Sequence, residues 1–495
     1  MKKNSVLAAD IGAGSGKIFE VQFDGSQIIS RNVHRFKNGQ TRIREHLYNN
    51  IDYIYSQIKE GFLRADIQSE AEIRSVGVDI FGNDYGLLNR RDKLIGLPYS
   101  YRDARTRSHI PPVDVCRKQY TVSGIAPLPS TAYNQLLADA ATLCPSEIEQ
   151  VSAFLMLADL IGFYLTGEKS SEYVCTSTTG LLDAHNRSWS ETIISTLPFR
   201  HDVFQKIVPP ATLCGTVDDP EVSHLGTGNI RLVKVAGHDS ASAVVPIPLT
   251  KSSIFISSGS WSLIGIESAE PLISDDTYRF GISNQGLPEG KFRVQKSLPG
   301  LWILQQCLKE WQSEDANLDF ASIECKAGAQ QRSKCWIDVE EPMFSVPGRM
   351  TEKIREYCRS TGQTVPDSIG TIARCVYESL VLKYITAAKQ FDRFTGSVHD
   401  RIYIVGGGAK DSLLNSMVAS ATSKQVLAGM YDASAIGNAL MQLVALGYVR
   451  DVKEAREIAA QSFEFNQFES NESVYWEEAI LQFESIKKTY SDERR

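Results

Sequence analysis

Hydrophobic residues recur every three or four positions in two stretches of the chain. They are Leu47, Ile51, Ile54, Ile58 and Phe62 in the first stretch, and Ile372, Val376, Leu380, Tyr384, Ala387 and Phe391 in the second. Residues at this spacing lie on one face of an α-helix. The pattern therefore predicts two amphipathic helices whose apolar faces pack against a core.

Short apolar runs elsewhere in the chain end abruptly at turns that contain glycine or serine. These runs span residues 5–9, 75–78, 232–236, 254–256 and 402–405. Short runs with β-branched residues and flanking turn residues are typical of buried strands. Because these runs are interspersed with helical patterns, the sequence predicts an α/β fold.

Two segments in different halves of the chain share one plan. SVLAADIGAGSGKIFEVQ begins at Ser5 and SSIFISSGSWSLIGIE begins at Ser252, and each consists of an apolar strand, a turn of small residues and a second apolar strand. Their identity is too low for a sequence repeat, but the shared plan predicts two domains of similar design. The segment VVPIPLT interrupts regular structure, so we place the domains at residues 1–245 and 246–495.

Charge and hydropathy exclude several classes of protein. The 495 residues include 52 Lys and Arg against 59 Asp and Glu, a net charge of −7, with no basic cluster. Neither nucleic acid nor a membrane surface is therefore expected as a partner. No apolar run approaches the roughly 18 residues of a membrane span, and no export signal precedes the first strand. We expect a cytoplasmic protein.

The nine cysteines are odd in number and form no CxxC pair. This pattern indicates neither a zinc site nor a secreted disulfide framework, so free thiols are expected. Cys358 and Cys375 flank a short connection and can lie close together, and the sequence leaves open whether they pair.

The first glycine-rich turn, DIGAGSGK over residues 10–17, differs from the usual phosphate-binding motifs. A P-loop requires GxxxxGK followed by Ser or Thr, but Ile11 stands five residues before Gly16 and Ile18 follows Lys17. A dinucleotide-binding GxGxxG also fails, because Lys17 occupies the position of the third glycine. Apolar alternation after the turn predicts a hairpin, which is either an ordinary turn or one whose backbone amides bind phosphate oxygens.

Two further turns of small residues have similar properties. Residues 257–260 offer amides and hydroxyls on a second predicted hairpin. The glycines at 406–408 follow a predicted strand and precede a predicted helix over 412–422, so their flat backbone can lie against a nucleotide. Each turn is weak support alone, but the three together favour an ATP site between two domains.

In their order and spacing, the motifs of this chain resemble those of the FGGY carbohydrate kinases, a family of the actin and hexokinase-like ATPase superfamily. The matching segments are AADIGAGSGK, GVDIFG, GLPYSYRDARTR, FYLTGEKSSEY, VAGHDSASAV, SSGSWSLIGIE, GLWILQQCL, YIVGGGAKDSLLN and SAIGNALMQ. Within the family they are most similar to the rhamnulokinase group. The resemblance implies two ribonuclease H-like α/β domains with an interdomain active-site cleft. It also implies ATP and Mg²⁺ as cofactors and phosphate transfer to the 1-hydroxyl of a ketose, with L-rhamnulose expected first.

The resemblance also implies roles for individual residues. The nucleotide and its phosphates are assigned to Asp10, Gly12, Ala13, Gly14, Ser15, Gly16, Lys17, Ser260, Gln305, Gly407 and Gly408. The sugar is assigned to Asp79, Gly82, His238, Asp239, Ser240 and Ser297. Asp239 is implied as the catalytic proton acceptor, and Asp10 as the residue near the metal.

Several of these residues also have an ordinary structural interpretation. Asp239 follows a predicted strand and precedes a predicted helix, where aspartate is favoured as a cap whether or not it also acts as a base. Asp10 can initiate a turn, and Asp79 can cap its own loop. His238, beside a strand end, can be a structural hydrogen-bond donor.

The sugar-side motifs depart from the family pattern, whereas the phosphate-side motifs match it. DIFGNDY at 79–85 stands in place of DTWGVDF, SNQGL at 283–287 in place of TNEGG, and Ser297 in place of an asparagine. The ketose is therefore open, with L-fuculose, ribulose and xylulose as alternatives. A catalytically silent regulator that binds sugar or nucleotide is the alternative from another class. The sequence also leaves open whether the protein is a monomer or a homodimer.

Overall fold

The computed structural model describes residues 4–69, 71–225, 228–469 and 473–492. The chain forms two compact units. Unit 1 comprises Met1–Pro248, Glu267–Val294 and Asp432–Phe463, and unit 2 comprises Leu249–Ile266, Gln295–Tyr431 and Glu464–Arg495. The first segment of unit 1 ends close to the predicted boundary at residue 245. Two later segments return to unit 1, which a single boundary does not describe.

The strands and helices are numbered in chain order. The strands are β1 Asn4–Ile11, β2 Ser15–Phe23, β3 Ile28–Lys37, β4 Gln40–Ile43, β5 His46–Asn49, β6 Glu72–Ile80, β7 Tyr85–Asn89, β8 Val151–Met156, β9 Ser171–Glu172, β10 Leu182–Asp183, β11 Ser188–Trp189, β12 Ile207–Val208, β13 Thr212–Thr216, β14 Arg231–Lys234, β15 Ser253–Ser258, β16 Trp261–Ser268, β17 Ile282–Gly286, β18 Phe292–Pro299, β19 Arg401–Val405, β20 Gln425–Gly429 and β21 Phe465–Phe468.

The α-helices are α1 Ile51–Gln68, α2 Val113–Ser123, α3 Ala132–Thr142, α4 Pro145–Gln150, α5 Leu157–Thr166, α6 Tyr173–Thr176, α7 Glu191–Ile194, α8 Asp239–Ser242, α9 Asp275–Phe280, α10 Trp302–Trp311, α11 Phe320–Gly328, α12 Pro342–Ser345, α13 Met350–Ser360, α14 Ile369–Thr395, α15 Ser412–Thr422, α16 Ala433–Ala445, α17 Val452–Ser462 and α18 Ser473–Asp492. Short 3₁₀ helices lie at Ala104–His109, Ser177–Thr179, His201–Val203, Pro288–Gly290 and Gly407–Lys410. Within the described ranges, none of the helices combines the length and the apolar character that crossing a bilayer requires.

The main sheet of unit 1 has the strand order β13-β14-β6-β1-β2-β3. β1 and β2 are antiparallel, which confirms that the first glycine turn joins a hairpin. β1 and β14 both run parallel to β6. Every residue of β1 after Asn4 is buried, as expected of a strand with elements packed on both faces of its sheet.

The first predicted helix begins later than its hydrophobic pattern suggests. Leu47 lies in β5, so its assignment to the helix was wrong. α1 begins at Ile51, because the side chain of Asn50 accepts a hydrogen bond from the N–H of Tyr53. Asparagine is favoured at this capping position, where it satisfies an N–H that the helix leaves unpaired. The remaining positions of the pattern are buried as predicted.

In unit 2, the strands β16, β15, β19, β20 and β21 are adjacent in that order. β15 and β16 form an antiparallel hairpin around the second turn of small residues, as predicted. The strand before the glycines at 406–408 and the helix over Ser412–Thr422 are also confirmed. The long helix α14 contains the whole second hydrophobic pattern, and all six of its positions are buried.

The nine cysteines are free thiols, as expected. Cys358 in α13 and Cys375 in α14 lie close together, and Cys335 joins them. The approach of this third cysteine was not predicted, because no spacing in the sequence connects it to the other two.

Candidate functional site

Two carboxyl groups face each other at the ends of β1 and β6. The strand register places Asp10 beside Asp79 on β6 and beside Lys17 on β2. Asp79 is fully buried and Asp10 nearly so. Burial, together with the charge of other carboxylates, raises the pKa of Asp10 to about 7 and that of Asp79 well above its usual range. Near neutral pH, the two carboxyl groups therefore retain a proton unless a bound cation neutralises their negative charge.

Hydrogen bonds fix the backbone conformation of the turn that follows Asp10. Gly12 N–H donates to the carbonyl of Ser15 at 3.0 Å, and the Asn38 side chain donates to the carbonyl of Gly12 at 2.8 Å. A Cβ added at Gly14 would have no atom within 4 Å, so the backbone there is open to a ligand. The predicted phosphate-binding residues Gly12, Ala13, Gly14, Ser15, Gly16 and Lys17 are thus contiguous on one hairpin.

Gly16 and Lys17 have structural partners that the sequence did not indicate. A Cβ at Gly16 would lie 2.1 Å from the ring of Phe36, so this glycine is required by packing. Lys17 Nζ donates to Asp432 Oδ1 at 2.7 Å. Asp432 immediately precedes α16, one of the segments that return to unit 1 from the end of the chain.

Asp239, the predicted base, is the first residue of the short helix α8. Its side chain is 27 % exposed, and its Oδ1 accepts a hydrogen bond from the N–H of Ser240 at 2.5 Å. Burial raises the pKa of Asp239 to about 6, although the positive charge of Arg293 opposes this rise. The carboxylate is therefore ionised at neutral pH and still basic enough to accept a proton.

Arg293 is the principal residue that the sequence analysis missed on the sugar side. It lies on β18 and is fully buried. Its guanidinium donates to His238 Nδ1 at 2.6 Å and to Ser240 Oγ at 2.7 Å. Because a guanidinium N–H can only donate, Nδ1 accepts, and the proton of a neutral imidazole lies on Nε2. Burial lowers the pKa of His238 well below its usual range, which keeps the ring neutral.

Gly82 allows His238 to approach the end of β6. A Cβ added at Gly82 would lie 2.7 Å from His238 Nε2, a distance that no ordinary carbon contact permits. The end of β6 is also linked to the residue before His238, since Ile80 N–H donates to the carbonyl of Gly237 at 3.0 Å. The structure thus brings together four predicted sugar-side residues, Gly82, His238, Asp239 and Ser240.

A fully buried chain of hydrogen bonds connects α16 to Asp79. Asn438 Nδ2 donates to Asp79 Oδ2 at 2.7 Å, and Asn438 Oδ1 accepts from Gln442 Nε2 at 2.7 Å. Gln442 also donates to the carbonyl of Leu7 and accepts from the hydroxyl of Ser75. These partners fix the orientation of both amides. Asp79 is therefore held by a helix distant in sequence, and not by its own loop.

Asp84, two residues after Gly82, is a further buried carboxyl. Asp84 accepts hydrogen bonds from the side-chain amides of Asn49, at 2.8 Å, and Gln135, at 3.2 Å. Burial raises its pKa to about 7.

Arg105 pairs with Asp139 at 2.7 Å. Motif spacing could not reveal this partner, because Asp139 lies on a different helix.

The predicted nucleotide residues of unit 2 lie on two turns. Ser260 Oγ donates to Gln305 Oε1 at 2.7 Å, so two predicted residues are in direct contact. A Cβ at Gly408 would lie 2.0 Å from Ser258 Oγ, which explains why glycine packs there against β15. A Cβ at Gly407 would have no atom within 4 Å, so the surface there is open. Ser297 lies on β18 in unit 2 and is partly buried.

Comparisons with known proteins agree over most of the chain. The models of the FGGY family of carbohydrate kinases match residues 5–246 (N-terminal domain) and 254–446 (C-terminal domain). A rhamnulokinase of Oceanobacillus iheyensis is 32 % identical over 461 residues, which are 92 % of this chain and 97 % of that protein. A rhamnulokinase of Bacteroides thetaiotaomicron is 30 % identical over 487 residues, which are 98 % of this chain and 99 % of that protein.

Solved structures show the same fold at much lower identity. A xylulose kinase from Lactobacillus acidophilus superposes with a TM-score of 0.82 at 13 % identity, over 99 % of this chain and 98 % of that chain. A glycerol kinase from Plasmodium falciparum, solved with ADP, superposes with a TM-score of 0.77 at 13 % identity, over 99 % and 98 % of the two chains. The predicted two-domain α/β fold of the actin and hexokinase-like type is confirmed.

Proposed function

The chain belongs to the FGGY family of carbohydrate kinases, and from this we propose that it transfers the γ-phosphate of ATP to the 1-hydroxyl of L-rhamnulose. The observation that supports this sugar is the similarity to rhamnulokinases over more than nine-tenths of the chain. The xylulose and glycerol kinases share the fold at 13 % identity, which carries no argument for their substrates.

In the proposed reaction, Asp239 accepts the proton of the attacking hydroxyl. Phosphoryl transfer depends mainly on positioning and on neutralising charge, and a carboxylate base completes the acceptor side. Arg293 orients the neighbouring groups, since it binds both His238 and Ser240. His238 Nε2 lies 3.1 Å from Ser240 Oγ and 3.4 Å from Asp239 Oδ1, and its N–H would exchange these contacts for a sugar oxygen when the ketose binds.

The open backbone at Gly14 and its neighbours would bind the phosphates of ATP through amide N–H groups. Ser260, Gln305, Gly407 and Gly408 would contact the rest of the nucleotide. Lys17 would exchange its contact with Asp432 Oδ1 for an oxygen of the ATP phosphates.

The carboxyl pair of unit 1 fits Mg²⁺. This ion prefers carboxylate oxygens and retains several waters. Asp79 Oδ1 is buried and accepts no hydrogen bond from a described N–H or O–H, and Asp10 lies beside it. We therefore assign Asp10, with Asp79, to hold the ion, and this role for Asp79 replaces the contact with the sugar that the family resemblance implied. When bound, Mg²⁺ would neutralise negative charge on the phosphates.

Two of the departures from the family pattern, residues 79–85 and 283–287, lie in unit 1, and the third, Ser297, lies in unit 2. Asn83 has a φ of 78°, in the left-handed region. Asparagine tolerates this conformation, whereas the β-branched valine of the family pattern does not. Residue 83 therefore adopts a backbone conformation in this chain that the valine of the family pattern would disfavour. Because Asn83 directly follows Gly82 of the proposed sugar site, this difference can change which ketose is bound.

A coupled assay of ADP release with a panel of ketoses tests the proposed function. We expect kcat/KM to be highest for L-rhamnulose, followed by L-fuculose, and lower for D-ribulose, D-xylulose and glycerol. A higher value for D-xylulose or glycerol would contradict the sugar assignment. If every ketose binds and none releases ADP, the chain is a binding regulator and not a kinase.

The pH dependence tests the role of Asp239. Since its raised pKa is about 6, kcat/KM should fall as the pH drops through about 6, and not through about 4. The charge of Arg293 lowers this pKa, so Arg293→Met should move the acid limb upward by roughly one pH unit or more. Arg293→Lys keeps a positive charge and is the control, with a smaller displacement. Identical limbs for both variants would contradict the electrostatic role.

Gly82→Ala should raise KM for the sugar by about tenfold or more. The added Cβ would lie 2.7 Å from His238 Nε2 and must displace the imidazole, and displacements near 1 Å can cost roughly 100-fold. Gly39→Ala is the control, because a Cβ there would meet no atom within 4 Å. Steady-state kinetics of the two variants measure the effect, and equal KM values would show that His238 does not contact the sugar.

A further inference from the structure

Unit 2 contains a group of three thiols for which the proposed reaction has no use. Cys335, Cys358 and Cys375 are all buried, and their Sγ atoms lie within 4.8 Å of one another. We propose that these three cysteines form a binding site for a thiophilic metal ion, held by three sulfur atoms. Nothing in the phosphoryl-transfer chemistry assigned to the other residues depends on this cluster.

The backbone around the cluster is held by specific hydrogen bonds. The side chain of Gln363 accepts from the N–H of Trp336 at 2.8 Å and donates to the carbonyl of Trp336 at 2.9 Å. The N–H of Gln363 donates to the carbonyl of Cys358 at 2.9 Å. One glutamine therefore ties the residue after Cys335 to the end of α13.

A serine makes the equivalent connection to α14. The hydroxyl of Ser379 donates to the carbonyl of Cys375 at 2.6 Å and accepts from the N–H of Ile337 at 2.9 Å. The three cysteines thus come from three separate segments whose backbones are already fixed relative to one another. A site held in this way loses little conformational entropy when it binds an ion.

The spacing of the sulfur atoms suits a metal. Metal–thiolate bonds are about 2.3 Å long for zinc, which places three sulfurs around a central ion about 4.0 Å apart. The observed limit of 4.8 Å is only slightly larger, so small side-chain rotations would bring all three thiolates to the ion.

The donor set favours a soft, three-coordinate ion. Among the described residues, no histidine, aspartate or glutamate joins the cluster. Structural zinc sites are almost always four-coordinate, whereas Cu(I) is selected by soft thiolates. Binding replaces three S–H bonds by three metal–sulfur bonds and releases one proton from each thiol, without any change of oxidation state. We therefore expect Cu(I) to bind more tightly than Zn(II).

Anaerobic titration of the full-length, reduced protein with Cu(I), in competition with a chromogenic Cu(I) chelator, tests the proposal. The exposed Cys144 and Cys325 are replaced by serine in every sample to remove adventitious thiols. We expect one Cu(I) per chain, and Cys335→Ser should weaken binding more than about 100-fold, since even outer-shell substitutions cost roughly 10- to 100-fold. Zn(II), titrated in parallel, should bind more weakly.

Cys307→Ser is the matched control, because Cys307 is equally buried in unit 2 but lies outside the cluster. Its Cu(I) affinity should be unchanged. X-ray absorption of the Cu(I)-loaded parent should show three sulfur neighbours, a readout that requires no variant to fold. Bound Cu(I) should also raise the thermal midpoint by a few degrees.

Equal Cu(I) affinities for the parent and Cys335→Ser would overturn the proposal, as would a coordination shell with fewer than three sulfurs. A Cys358–Cys375 disulfide that persists in excess reductant, found by peptide mass mapping together with no Cu(I) uptake, would overturn it in favour of a structural cross-link.

Discussion

Asp239→Asn is expected to lower kcat by roughly 10²- to 10⁴-fold, while ATP and the ketose still bind. Asparagine has nearly the same shape as aspartate, and its side-chain oxygen can still accept the hydrogen bond from the N–H of Ser240. It cannot accept a proton from the sugar hydroxyl. The substitution therefore removes the base and leaves the start of α8 intact.

The competing interpretation of Asp239 is that it only stabilises a helix N-terminus. Asp52 is the matched control, because it lies in the first turn of α1 and is exposed. Asp52→Asn should leave kcat unchanged. Steady-state kinetics together with calorimetric binding of each substrate separates loss of chemistry from loss of binding.

Stability provides a second test of this residue. Because the pKa of Asp239 is raised from 3.8 to about 6 in the folded protein, its ionisation lowers stability as the pH rises from about 4 to about 6. Above pH 7 this loss is complete, so Asp239→Asn should unfold at no lower temperature than the parent. A kcat near that of the parent would exclude Asp239 as the base.

Local features of the fold could be predicted from the sequence because they depend on neighbours in the chain. The hairpin around residues 10–17 follows from apolar alternation on both sides of a glycine turn, and its strands pair as expected. The helix after the glycines at 406–408 also begins and ends where predicted. Leu47 was misassigned because its apolar spacing continues that of α1, although Asn50 caps the helix after it.

The support of the site could not be predicted, since it depends on residues far apart in the chain. Arg293 is separated from His238 by the segment Leu249–Ile266 of unit 2, and Asn438 lies 359 positions after Asp79. One signal was present in α16, where Asn438 and Gln442 stand four residues apart in a helix whose other residues, apart from Ser434, are apolar. Two amides on one buried face require partners there, and the partners are Asp79, Leu7 and Ser75.

Gly437→Ala is expected to destabilise the protein by roughly 1 to 3 kcal/mol and to lower kcat/KM by about 100-fold. The added Cβ would lie 1.9 Å from the backbone carbonyl oxygen of Ser242, at the end of α8. A backbone atom cannot rotate away, so the two helices must separate. Glycine within a helix lowers stability by about 1 kcal/mol relative to alanine. The glycine at position 437 is therefore explained by the close contact between α8 and α16, which leaves no room for a side chain.

The effect on activity should exceed the effect of lost stability alone, because the displaced helices carry Asp239 and Asn438. Their separation would move the proposed base and would weaken the hydrogen bond from Asn438 to Asp79, which is 2.7 Å long. Gly328→Ala is the control, since this helical glycine in α11 would place its Cβ 3.9 Å or more from any neighbour. It should be as stable as the parent or slightly more stable. Thermal unfolding and steady-state kinetics of both variants, measured below the unfolding transition, test the prediction. If Gly437→Ala keeps the kcat/KM of the parent, then the packing of α16 on α8 does not position the catalytic carboxylates.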